Sequence, residues 1–170
     1  MLTGFQIRAA RSGVSLYLKD VSNSLGIHTS TLTRLEAQTP NLSYISCNTR
    51  TSLLLKNFYE SKGFFFPHYN SIGIDYRGQN SQLNSKISRF QFKISRIALR
   101  MTRKELGAIL NISETTIAGW ETTKDLLLRL TPQDNRALDA IKLFFDSKGI
   151  ICRDFNVVEI SEDTVVTNTK

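Results

Sequence analysis

The sequence predicts a mainly α chain made of two tandem copies of one small domain, each copy ending in a short β-hairpin. Three observations carry this. Residues 16–36, LYLKDVSNSLGIHTSTLTRLE, align without a gap on residues 101–121, MTRKELGAILNISETTIAGWE, after a shift of 85 positions. Ile87, Phe90, Ile94 and Ile97 recur at the three- and four-residue spacing of one helix face. After Gly63 and after Gly149 come short apolar runs, Phe64–Phe66 and Ile72–Tyr76, then Ile150–Cys152 and Val157–Ile160, which read as paired strands.

The repeat extends on both sides. Phe5-Gln6 matches Phe90-Gln91, and Arg11 matches Arg96. Downstream the shift becomes 86, where LLLKNFYESKGFFF (53–66) aligns with DAIKLFFDSKGIIC (139–152) and Ser-Lys-Gly is shared. A period this long, occurring twice, marks a duplicated domain; a solenoid needs at least three shorter repeats. The first domain is assigned to 1–76 and the second to 86–160. Between them, 77–85 lies in a stretch whose one large apolar residue is Leu83, and it reads as a linker; 161–170 reads as a tail.

Each copy opens with a helix, over about 4–13 and about 86–99. A second helix follows over about 18–25 and 103–110, with Thr102 as N-cap in the second copy. Gly26 and Asn111 then occupy the same turn position, and these two residue types are the most at ease in a left-handed conformation after a helix. The chain must reverse within three or four residues there, which predicts a helix–turn–helix. Ser113 is expected to cap a third helix over about 114–121; His28 is a poor cap, so Thr29 is expected to serve instead. Thr131-Pro132 should start a final helix and Gly149 stop it. Leu138, Ile141 and Phe145, with Phe144 alongside, form its apolar side, and Leu54, Phe58 and Tyr59 are expected to play the same part in the first copy. A lone hairpin is marginal in water, so the terminal strands are expected to pair with each other or to make a homodimer.

The totals limit the function classes. The chain has 170 residues, 41% of them hydrophobic, enough for two domains of roughly 80 residues. A net charge of +7 and a pI of about 9.6 favour an anionic partner, with nucleic acid first. Cys47 and Cys152 form no motif and read as small apolar residues of a reducing compartment. No apolar run approaches membrane-spanning length, and no signal peptide is evident, so a cytoplasmic location and no membrane partner are expected. The two histidines, His28 and His68, are not placed for zinc. No phosphate-binding glycine loop or nucleophile–base spacing occurs, so no metal, cofactor or enzymatic activity is expected.

The segment TRKELGAILNISETTIAGWE resembles the helix–turn–helix of the phage-repressor/Cro (XRE) DNA-binding family. The resemblance rests on Thr102, Glu105, Leu106, Leu110, Ile112, Ser113, Thr116, Ile117, Trp120 and Glu121. The first copy is similar at Val21, Leu25, Gly26, Ile27, Thr31, Leu32, Arg34, Leu35 and Glu36. It departs at Leu18, where the family usually carries a polar residue that touches DNA phosphate. Asn111, usually Gly, and Gly119, usually polar or basic, are departures of the second copy.

The resemblance implies that the third helix of each copy enters the major groove and meets base edges. The implied base readers are Thr29, Ser30, Thr33 and Arg34 in the first copy, and Glu114, Thr115, Ala118 and Gly119 in the second. Arg34 suits guanine, Glu114 cytosine N4, and Ala118 or a threonine methyl a thymine methyl. These exposed positions differ between the copies while the buried ones match, so two different half-sites are expected. The family's first-helix arginine and recognition-helix glutamate imply two structural ion pairs, Arg11–Glu36 and Arg96–Glu121.

Phosphate contacts should supply the affinity. Lys86, Arg89, Lys93, Arg96, Arg100 and Arg103 recur every three or four residues and Lys104 follows, which predicts one basic helix stripe along a DNA backbone. With Arg96 set aside for its ion pair, the phosphate candidates are Arg89, Lys93, Arg100, Thr102, Arg103, Lys104 and Lys124, joined in the first copy by Arg8 and Lys19. Two functions are expected to compete. One is a transcriptional regulator on double-stranded DNA, encoded by a bacterium, phage or mobile element and reading an asymmetric or imperfectly repeated site. The other is an antiactivator or interaction module that keeps the fold and binds a protein regulator.

Overall fold

A computed structural model describes residues 1–38, 42–75, 87–122 and 135–162. The expected linker, Lys86, Lys124, Thr131-Pro132 and the tail from 163 onward lie outside the described residues. The described residues form eight helices and four short antiparallel strands. They group into two compact units, the first running to Asp75 and the second ending at Ser161.

Unit 1 contains α1 (Gly4–Gly13), α2 (Leu18–Leu25), α3 (Thr29–Glu36), α4 (Thr49–Ser61), β1 (Phe64–Phe65) and β2 (Ser71–Ile74). Unit 2 contains α5 (Arg89–Ala98), α6 (Arg103–Leu110), α7 (Glu114–Thr122), α8 (Asn135–Ser147), β3 (Ile150–Arg153) and β4 (Val157–Ile160). Helix starts follow from side chains that accept the orphan amide protons of a first turn. Thr3 caps α1 and Gln6 answers it; Ser88 and Gln91 do the same for α5, and Thr102 and Glu105 for α6. Ser113 Oγ accepts from Thr116 N at 3.0 Å at the start of α7. Thr29 does not cap α3: it is the first helical residue, and His28 is the N-cap with no side-chain bond. The extended backbone of His28 already places its carbonyl to receive Leu32 N at 3.1 Å, so helix entry proceeds without a hydroxyl.

Left-handed residues make the turns. Gly26 sits at φ 63° and Asn111 at φ 54°, directly after α2 and α6. Each lets the next amide return to the helix it has just left: Ile27 N reaches Ser22 O at 3.3 Å and Ile112 N reaches Gly107 O at 2.9 Å.

The core of unit 1 gathers Phe5, Ile7, Val21, Leu32, Leu35, Leu55, Tyr59 and Ile72. That of unit 2 gathers Phe90, Phe92, Ile94, Leu106, Ile117, Phe145 and Val158, with Phe92 edge-on to both Trp120 and Phe145. Leu138, Ile141 and Phe145 are buried on α8, with Phe144 half-buried. On α4 the expectation needs correction: Leu54 is exposed, and Leu55 and Tyr59 take the inward face with Phe58 half-buried. A four-residue step puts Leu55 and Tyr59 on one face, as it does Ile141 and Phe145.

Each unit closes with its own antiparallel pair, Phe64 opposite Ile74 in one and Ile150 opposite Ile160 in the other. A buried glutamine ties the pair to the first helix. Gln6 Nε2 donates to His68 O at 2.7 Å and Ser71 O at 2.8 Å. Gln91 Nε2 donates to Arg153 O and Val157 O, both at 3.0 Å.

Candidate nucleic-acid interface

A buried ion pair anchors the far end of α3 and of α7. In unit 1, Arg11 Nε lies 2.6 Å from Glu36 Oε1 and Nη2 2.7 Å from Oε2, while Nη1 donates to Leu16 O at 2.8 Å. Unit 2 repeats the arrangement: Arg96 meets Glu121 at 2.6 and 2.8 Å and donates to Met101 O at 2.6 Å. Both glutamates are buried. Each arginine thus links the first helix, the loop before the second and the end of the third, which fixes the tilt of α3 and α7. The bond to Glu36 raises the Arg11 pKa above its ordinary value, against the opposing effect of burial.

The outer faces of these helices are open but chemically different. On α3, Thr29, Ser30, Thr33 and Arg34 are exposed. Thr33 Oγ1 donates back to Thr29 O at 2.9 Å, which leaves its methyl as the free feature, and Arg34 Nη1 reaches Ser46 O at 3.4 Å. On α7, Glu114, Thr115 and Gly119 are exposed and Ala118 is half-buried. Thr115 Oγ1 lies 2.9 Å from Ser113 Oγ. A side chain built at Gly119 would meet nothing within 4 Å, so the helix backbone itself is the surface there.

The expected phosphate residues separate into three groups. Lys19, Arg100, Thr102 and Lys104 are exposed, and Arg89 is half-buried. Arg103 is partly exposed, with Nε 2.8 Å from Glu121 Oε2. Two others are corrected. Arg8 is half-buried and donates from Nη1 to Glu36 O at 2.7 Å. Lys93 is only 4% exposed and donates from Nζ to Glu121 O at 3.3 Å. Both satisfy a carbonyl at the end of the third helix, the place where a helix needs donors and favours cations.

The single basic stripe is corrected for the same reason. α5 ends at Ala98 and Arg100 turns left-handed at φ 55°, so the spacing does not continue along one helix. Lys93, Arg96 and Arg103 instead converge on Glu121. Burial, aided by Arg103 and Arg96 and opposed by Glu121, pulls the Lys93 pKa down to about 8.

Three features escaped the sequence reading. The inward glutamines Gln6 and Gln91 were visible as a repeat match without an assigned role. Arg50 is exposed in the first turn of α4, directly after the loop that Arg34 touches. Its signal was available: with the downstream shift of 86, Arg50 falls on Arg136. Lys93 looked like a surface cation because a lysine in an amphipathic helix pattern is read by its charge, and only packing shows its burial.

Among the described residues, no helix is long and apolar enough to cross a membrane, and no cluster of three or more His, Cys, Asp or Glu could hold a metal ion. Comparison with protein-family profiles, curated proteins and solved structures returns no match to this chain.

Proposed function

We propose that the chain is a sequence-specific DNA-binding transcriptional regulator of phage-repressor/Cro (XRE) type, with two diverged helix–turn–helix headpieces. The observation that carries this reading is the same in each unit. Two helices meet at a left-handed residue, and the second offers an open polar face while a buried Arg–Glu pair holds its far end. In this reading α3 and α7 each enter a major groove, and half-sites on the same face of the duplex would lie about 34 Å apart. Lys19 and Arg50 in unit 1, and Arg100, Arg103 and Lys104 in unit 2, contact phosphates and set register without reading sequence.

The two reading faces call for two different half-sites. Arg34 supplies a bidentate donor to guanine, while α7 has no cation among its residues and offers Glu114 as an acceptor beside the small Ala118 and Gly119. Arg34→Ala tests the assignment. It should relax base preference in one half-site only; an unchanged footprint and unchanged preference would remove α3 from the base-reading set.

One observation favours a protein-binding role for unit 1. Tyr17 is 78% exposed and Leu18 follows it at the start of α2, where unit 2 has Thr102 and Arg103. An interaction module of this kind would bind a protein regulator and show no DNA binding at low salt.

A further inference from the structure

Glu121 carries more cations than it needs. Arg96 already holds both of its carboxylate oxygens, at 2.6 and 2.8 Å. Lys93 sits on its backbone carbonyl, and Arg103 adds a contact from Nε to Oε2 at 2.8 Å. Two cations therefore hold one carboxylate while a third caps the backbone carbonyl of the same residue, and the local excess is positive. Lys93 and Arg96 are largely enclosed, whereas the Arg103 side chain is 37% exposed. Among the described residues the two terminal nitrogens of Arg103 have no partner.

Unit 1 lacks this third cation. The position equivalent to Arg103 is Leu18, and among the described residues Glu36 receives side-chain bonds to its carboxylate from Arg11 alone. The two units thus share the ion pair and differ in what stands in front of it.

We propose that Glu121 is a positioning residue for a DNA phosphate contact, holding Arg103 by its Nε so that the two terminal nitrogens face outward. This makes unit 2 the electrostatic anchor of the chain. The inference rests on the DNA-binding reading. Its physical basis is that a guanidinium fixed at Nε is pre-organised and loses less side-chain freedom on meeting a phosphate. Because Arg96 already balances Glu121, Arg103 keeps its charge available for a charge-assisted pair with the phosphate.

The test is the salt dependence of binding of the full chain to a random-sequence DNA duplex. Arg103→Leu installs the residue unit 1 uses at this place, and Trp120 fluorescence checks that unit 2 remains folded. Loss of one phosphate contact should reduce the slope of log K against log salt by about 0.9. Arg103→Lys keeps the charge but has no Nε for Glu121 to hold, so binding should weaken several-fold with the slope retained. Leu18→Arg places a guanidinium before Glu36 and should steepen the slope by about 0.9. An unchanged slope in Arg103→Leu, or an Arg103→Lys protein that binds like the wild type, overturns the inference while wild-type binding upholds the DNA reading. Wild-type protein that does not bind at low salt overturns both.

Discussion

Arg96 grips Glu121 through two nitrogens, Nε to Oε1 at 2.6 Å and Nη2 to Oε2 at 2.8 Å, and Arg11 grips Glu36 in the same way. The surroundings of the two carboxylates differ, and the difference is measurable. Arg11→Ala leaves the buried Glu36 carboxylate with no side-chain cation bonded to it among the described residues and should cost about 3–5 kcal/mol. Arg96→Ala leaves Arg103 in contact with Glu121, so its cost should be smaller. Hydrogen exchange resolved along the chain separates the two units. Equal losses, or a loss below about 1 kcal/mol for Arg11→Ala, would contradict the assignment.

Tyr59 is fully buried, and among the described residues its hydroxyl has no hydrogen-bond partner. Burial first, with Glu36 adding to it, pushes the phenol pKa well above its ordinary value, so the group stays neutral. Unit 2 places Phe145 at the equivalent position. A buried unsatisfied hydroxyl costs about 1–3 kcal/mol, so Tyr59→Phe should leave unit 1 as stable or more stable. Urea unfolding checks this, and a clear destabilisation would show that the hydroxyl has a role.

Lys93 makes the stability of unit 2 depend on pH above neutrality. Its pKa in the folded chain is about 8, chiefly through burial, against about 10.4 for an ordinary lysine. Between these values the unfolded chain binds more protons than the folded one, so this group's contribution to stability rises with pH. Below about 8 both states are protonated and the penalty of the buried charge is fully present. In Lys93→Arg, which copies Arg8 of unit 1, the charge does not titrate and that rise should vanish. Unfolding followed by Trp120 fluorescence from pH 7.5 to 10 is the measurement; parallel stability curves for the two proteins would refute it.

Arg100 adopts φ 55°, and its counterpart Ser15 adopts φ 56°. A left-handed backbone costs a non-glycine residue roughly 1–2 kcal/mol. In Arg100→Gly that strain is relieved, offset in part by the greater freedom of the unfolded chain. Stability should hold or rise by up to about 1 kcal/mol, while the salt slope of DNA binding falls by about 0.9. A protein that loses stability, or keeps its slope, would show that Arg100 is held there for packing.

The helices and hairpins were legible because their signals are local. Apolar spacing, Thr102 and Ser113 as caps, and Gly26 and Asn111 at the turns all act within a few residues of where they stand. The Arg–Glu pairs were legible through resemblance and through their survival in both copies. Lys93, Arg8 and Arg103 were not, because spacing shows which residues share a helix face but not which neighbour closes over it. The difference between Leu54 and Leu55 was lost for a similar reason: in a run of three leucines, the rotation of about 100° from one residue to the next decides which of them meets the core. Gln6 and Gln91 act across more than sixty residues, from a helix to a hairpin, and no local pattern announces such a bond.

Selection of bound duplexes from a random DNA pool, at low and at moderate salt, decides whether the two headpieces read DNA. Retained duplexes should carry two unlike half-sites about one helical turn apart, with affinity falling steeply as salt rises. A pool that returns unenriched, with no DNA held even at low salt, would contradict the DNA-binding reading.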